Sequence, residues 1–135
     1  CARLGAVRSL IASDLNAKAT EVAQLNFDSA GLAKEMVAVH RCDFRKYQEV
    51  TQIQPGSISL IIANPPLGRR VRVTNLKGLI ADFYRVAAEV LQPGGRLVFI
   101  NPLKLESPVA SLKLKERHLV DLGGFDCRVE TWVKA

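Results

Sequence analysis

Residues 58–70 read ISLIIANPPLGRR. Ile58 to Ala63 is apolar on both faces, the pattern of a strand buried in a parallel sheet, and it stops at Asn64. Pro65 and Pro66 then fix φ at two successive positions and remove two N–H donors. The main-chain carbonyls and the Asn64 amide oxygen are left as acceptors at the strand end. Such a site calls for a donor, and an exocyclic amino group on a planar ring or an amide fits. Its lone pair is delocalised, and two acceptors gripping its hydrogens help localise that pair for attack on an electrophile. Taken alone, Asn64-Pro65-Pro66-Leu67 reads equally well as a strand-ending turn.

The flanking sequence supplies the context. Upstream, Ser9 to Ser13 is a short apolar run closed by Asp14. Asn16 can cap a helix from about Ala17 to Ser29, where Gly31 can end it. Met36 to Cys42 is a second run rich in β-branched residues, followed by Asp43. Downstream, Leu79, Ile80, Phe83, Ala87, Val90 and Leu91 recur at helical steps between Lys77 and Leu91, and Pro93-Gly94-Gly95 stops that helix. Arg96 to Ile100 is a fourth strand ending at Asn101, a short helix is expected from about Ser107 to Leu114, and His118 to Val133 holds an antiparallel hairpin around Gly123-Gly124. Strands alternating with helices imply an α/β fold with a mostly parallel sheet, whose ligands bind beyond the C-terminal strand ends. Asp14, Asp43 and Asn64 all fall at that edge. Taken singly, each of the two aspartates is better explained as a cap or turn; taken with Asn64, the three read as a site.

At 135 residues the chain is one domain or part of one. No apolar run approaches a membrane span and the N-terminus lacks the order of a signal peptide, so a soluble, cytoplasmic protein is expected. A net charge of +6 biases it toward polyanions such as nucleic acid. Arg69, Arg70, Arg72 and Lys77 crowd the stretch after Asn64, where they suit either a solvated loop or phosphates flanking a bound nucleotide; Lys104, Lys113, Lys115 and Arg117 could extend that surface. Cys1, Cys42 and Cys127 have no C-x-x-C or Cys/His spacing, so reduced structural thiols are expected and no metal site. His40 and His118 have no ligand-spaced companion, and Tyr84 and Trp132 read as packing residues.

On these residues the chain resembles the class I S-adenosylmethionine-dependent methyltransferases, whose amino-group branch carries (N/D/S)-P-P-(Y/F/W) after the fourth strand. The resemblance covers nearly the whole chain and implies a Rossmann-like sheet closed by an antiparallel hairpin. It puts Asp14 at the cofactor's ribose hydroxyls, Asp43 beside the adenine and Phe44 along its ring. Asn64, Pro65 and Pro66 fall at the catalytic motif, and Asn64 also at the cofactor. Within the branch, Asn64 to Arg70 is most similar to the THUMP-associated tRNA guanine-N2 methyltransferases, which implies substrate contacts from Leu67, Gly68, Arg69 and Arg70. Leu67 departs from that pattern. It stands where an aromatic would stack on the flipped base, a contact worth roughly 1–3 kcal/mol.

The family's first strand and its acidic-x-Gly-x-Gly loop have no counterpart in these residues, and CARLGAVR looks like the end of the helix that follows that loop. The family's strand order is 3-2-1-4-5-7-6, so residues 1–135 read as part of a catalytic domain whose central strand comes from elsewhere, either the N-terminal remainder of the same protein or a second copy. On its own such a piece is expected to be inactive. The implied activity is methyl transfer from S-adenosylmethionine to the N2 amino group of guanosine in RNA, tRNA foremost. N6-adenine, ribosomal RNA or protein-glutamine methylation shares the Asn-Pro-Pro chemistry. A catalytically silent RNA-binding module of the same fold is the non-enzymatic alternative.

Overall fold

The computed structural model describes residues 7–66 and 73–135, which divide between Gln52 and Ile53 into two compact units. The first holds β1 (Leu10–Asp14), α1 (Ala17–Ser29) and β2 (Val37–Arg41), followed by a 3-10 segment at Phe44–Glu49. β1 and β2 pair in parallel, Leu10 opposite Val37 through Asp14 opposite Arg41. The crossover helix starts where the sequence says it should: Asn16 Oδ1 accepts from Lys18 N at 2.9 Å and Ala19 N at 3.4 Å, satisfying first-turn donors. It ends before Gly31, whose φ of 67° suits a residue without Cβ.

The second unit holds β3 (Ile58–Ala63), α2 (Leu76–Val90), β4 (Leu91–Asn101), β5 (Leu112–Asp121) and β6 (Asp126–Lys134), with sheet order β3-β4-β6-β5. β3 and β4 run parallel with Ala63 opposite Phe99; β6 is antiparallel to both β4 and β5. Asn75 caps α2 by accepting from Gly78 N at 2.9 Å. One face of α2 buries Ile80, Tyr84, Ala87 and Ala88 against Leu91, Leu97, Phe99, Leu112 and Trp132. Tyr84 stands edge-on to both Phe99 and Trp132, ring centroids 5.3 Å apart, so it is a packing residue.

Three expectations need correction. β4 is longer than Arg96–Ile100: Leu91 already pairs with Ile58, and the register shifts before Leu60 meets Arg96. A Cβ on Gly95 would lie 2.8 Å from the Gln92 carbonyl oxygen, so this irregular stretch requires glycine. The buried stripe of α2 keeps Ile80, Ala87 and Val90 and adds Tyr84 and Ala88, while Leu79 and Phe83 are only half-buried. No helix forms at Ser107–Leu114. The Ser107 hydroxyl and the Val109 amide bond to each other, Val109 O accepts from Leu112 N at 3.1 Å, and the chain turns straight into β5. Leu112 is buried in the core and pairs with Lys134, so the chain continues as strand, with Lys113, Leu114 and Lys115 exposed.

The strands therefore form two sheets, β1-β2 and β3-β4-β6-β5, each with the family's neighbours in the family's order. No helix among the described residues is long and apolar enough to cross a membrane.

Candidate functional site

In the first unit the parallel pairing brings Asp14 and the segment Cys42–Phe44 to one edge, where Cys42 N donates to the Asp14 carbonyl at 3.0 Å. The exposed Asp14 carboxylate accepts from Asn16 N through Oδ1 at 2.7 Å, while Oδ2 has no partner among the described residues. The helix cap is thus Asn16, and Asp14 supports it from below. This leaves the second oxygen of Asp14 able to accept from a ligand's hydroxyl.

Asp43 is more committed. Its carboxylate caps Phe44–Glu49 through Arg45 N at 3.0 Å and takes a fork from the Arg45 guanidinium, with Nη2 at 2.6 Å from Oδ2. The Arg45 side-chain hydrogen bonds hold its carboxyl below the usual carboxylate range against the opposing effect of burial. Arg45 also lies 5.8 Å from the half-buried Phe44 ring centroid, so guanidinium, carboxylate and ring form one connected set. The Cys42 thiol beside them is free, and burial pushes its pKa up, which opposes nucleophilic use. His40, the penultimate residue of β2, keeps Nε2 buried without a partner among the described residues.

In the second unit Asn64 directly follows β3 and is exposed, with Pro65 and Pro66 half-buried behind it. Ala63 pairs with Phe99, so Asn64 and Pro65 lie level with Ile100 and Asn101 at the carboxyl edge. Leu67, Gly68, Arg69, Arg70 and Arg72 lie outside the described residues. Lys77, Lys104, Lys113 and Lys115 are exposed. Arg117 is not part of that surface: it donates to Glu106 at 2.6 Å and Glu130 at 2.8 Å.

The sequence reading missed a buried polar cluster beneath the same edge. Glu130, with no exposed surface, accepts through Oε2 from Trp132 Nε1 and Asn101 Nδ2, both at 3.0 Å, and approaches the Tyr84 hydroxyl at 3.2 Å. Its Oε1 takes Arg117 Nε. Burial, then the Glu130 charge, pushes the Tyr84 hydroxyl far above the ordinary tyrosine range, so it stays a neutral donor. A glutamate inside the apolar alternation of Val129 to Val133 was the available signal, because a charge on the inward face of a strand needs partners.

The fold and sequence agree with known proteins. TrmN from Thermus thermophilus matches with a TM-score of 0.75 and 29% identity over 94% of this chain. The N-methyltransferase NodS of Bradyrhizobium japonicum matches at 0.63 with 14% identity, covering 93% of this chain and 73% of its own. A Streptococcus mutans protein solved in complex with SAH matches at 0.64 with 13% identity, covering 94% and 76%. The chain spans 36% of the length of TrmN. No curated protein sequence matches it. The family model described as RMKL-like, methyltransferase domain matches residues 2–127, and the chain belongs to that family, a class I methyltransferase fold that uses S-adenosylmethionine.

Proposed function

We propose that residues 1–135 are part of the catalytic domain of a cytoplasmic enzyme that methylates the N2 amino group of guanosine in RNA, tRNA foremost. The observation that carries this reading is the sequence Asn64-Pro65-Pro66 at the carboxyl edge of β3, followed after Leu67-Gly68 by Arg69 and Arg70. The likeness to TrmN supports it.

The residues of the first unit suit the cofactor. Asp14 keeps one carboxylate oxygen available for the ribose hydroxyls, and the half-buried Phe44, with the Arg45 guanidinium 5.8 Å from its ring centroid, borders the adenine. Asp43 is already bound by Arg45, so its part is to fix Phe44 and the following turn; direct contact with the adenine would require the guanidinium to move. When bound, S-adenosylmethionine supplies an electrophilic methyl group on a sulfonium. The Asn64 amide oxygen and the Pro65 carbonyl grip the two hydrogens of the acceptor amine and turn its lone pair toward that methyl. Asn64 is not a base. Most of the acceleration comes from orientation, and the proton passes to water once methylation has made the amine cationic and acidic.

Nucleoside mass spectrometry of unmodified tRNA incubated with the full-length protein and its Asn64→Ala variant tests this. N2-methylguanosine from the wild type alone is expected. N6-methyladenosine would move the acceptor to adenine, and undiminished methylation by the variant would remove Asn64 from the chemistry.

A further inference from the structure

The loop that leaves β4 shares an edge with Asn64 and is held unusually firmly. Lys104 O accepts from Arg128 Nη1 at 3.2 Å. Leu105 O accepts from Asn101 Nδ2 at 2.7 Å and from the Tyr84 hydroxyl at 3.1 Å. The Glu106 carboxylate takes Arg117 at 2.6 Å. Three successive residues are thus tied back to the buried cluster around Glu130. Within them Lys104 has φ 55°, the one positive value outside glycine among the described residues. Such strain persists only where the surroundings over-determine the backbone.

All of these ties use the main chain of Lys104 and Leu105 and the side chain of Glu106. The exposed Lys104 ammonium contributes to none of them and has no ion pair among the described residues. Glycine would fit the backbone without strain. The lysine side chain therefore adds nothing to the loop's own hydrogen bonding, while the loop fixes the direction in which it leaves the chain. That loop begins level with Pro65, at the edge where ligands of parallel sheets bind.

We propose that Lys104 is a substrate-binding residue that holds a backbone phosphate of the RNA beside the nucleotide presented to Asn64, and that Glu130, Asn101 and Tyr84 are the positioning residues that fix it there. This rests on the RNA-methylation reading. The contact is sequence-independent and electrostatic, so it sets affinity and register rather than the chemical step.

The test compares wild type, Lys104→Gly and Lys104→Arg in the full-length protein, reading RNA affinity against salt, KM and kcat on a tRNA transcript, and melting temperature. Lys104→Gly is expected to raise Kd and KM about three- to tenfold and to lower the salt slope by about one counterion, with kcat held and the melting temperature unchanged or higher, because glycine fits the φ of 55° without strain. Lys104→Arg should restore affinity. An active wild type whose Kd and salt slope are unchanged in Lys104→Gly overturns the proposal alone. A wild type that methylates no RNA overturns the RNA reading and this proposal together.

Discussion

The Glu130 carboxylate lies 3.0 Å from the indole nitrogen of Trp132, two residues along the same strand and on the same inward face. With Tyr84, Asn101 and Arg117 completing its shell, a fully buried charge is compensated by donors from four positions, 84, 101, 117 and 132. Removing one side of such an arrangement leaves the other buried and unpaired. Glu130→Ala is therefore expected to cost about 3–5 kcal/mol in urea unfolding. Glu130→Gln, which turns one acceptor into a donor facing donors, should cost about 1–3 kcal/mol. Stability equal to wild type in both variants would show that the cluster does not hold the fold.

Tyr84 gives the alkaline counterpart. Its hydroxyl is pushed up by burial first and by Glu130 second, far past the value of about 10 expected when unfolded. A raised folded pKa contributes stability that is complete below the unfolded value and is lost as pH rises above it. Wild type should therefore lose stability above about pH 10 more steeply than Tyr84→Phe. Below that pH the variant should be about 1–2 kcal/mol less stable. Chemical unfolding across this pH range measures both, and parallel curves would refute the coupling.

Local signals made much of this molecule legible. Asn16 and Gly31 bounded α1, the apolar run Leu60 to Ala63 marked β3, and Gly123-Gly124 marked the hairpin, because each is decided by backbone chemistry within a few residues. Ser107–Leu114 was misread because its fate depends on Leu112 reaching a core built from α2, β4 and β6. The Glu130 cluster was invisible for the same reason: its partners at 84, 101, 117 and 132 meet only once the sheet has formed. At the candidate site, sequence suggested the donors and acceptors but not their commitments. It gave no sign that Asp43 is already occupied by Arg45.

That occupation can be checked by acid titration. Arg45 holds the Asp43 carboxyl below its ordinary value, so its contribution is present above about pH 4 and is lost as pH falls through the lowered folded pKa. Asp43→Asn keeps the capping oxygen and loses the ionic fork. At neutral pH it should cost about 0.5–1 kcal/mol, given that Arg45 is half exposed. The gap to wild type should close below the carboxylate range. A gap that persists unchanged into strong acid would assign the effect to packing.

Asp14 and Asn16 separate ligand binding from helix capping at adjacent turns. Asn16 makes the cap itself, and Asp14 contributes one hydrogen bond to Asn16 N while keeping a second oxygen available. Asp14→Asn can preserve the bond to Asn16 N through its amide oxygen but presents a donor where the ribose hydroxyls would donate. Weakening two charge-assisted hydrogen bonds costs on the order of 1.5–3 kcal/mol, roughly a ten- to hundredfold rise in dissociation constant. Stability should move by only a few tenths of a kcal/mol. Asn16→Ala should do the reverse, costing about 1 kcal/mol of stability by leaving Lys18 N and Ala19 N without their acceptor. Calorimetry with S-adenosylmethionine and thermal melts of the full-length protein read the two effects separately. An Asp14→Asn variant with unchanged affinity and a drop of several degrees in melting temperature would make Asp14 a structural residue and return the cofactor assignment to Phe44 and its neighbours.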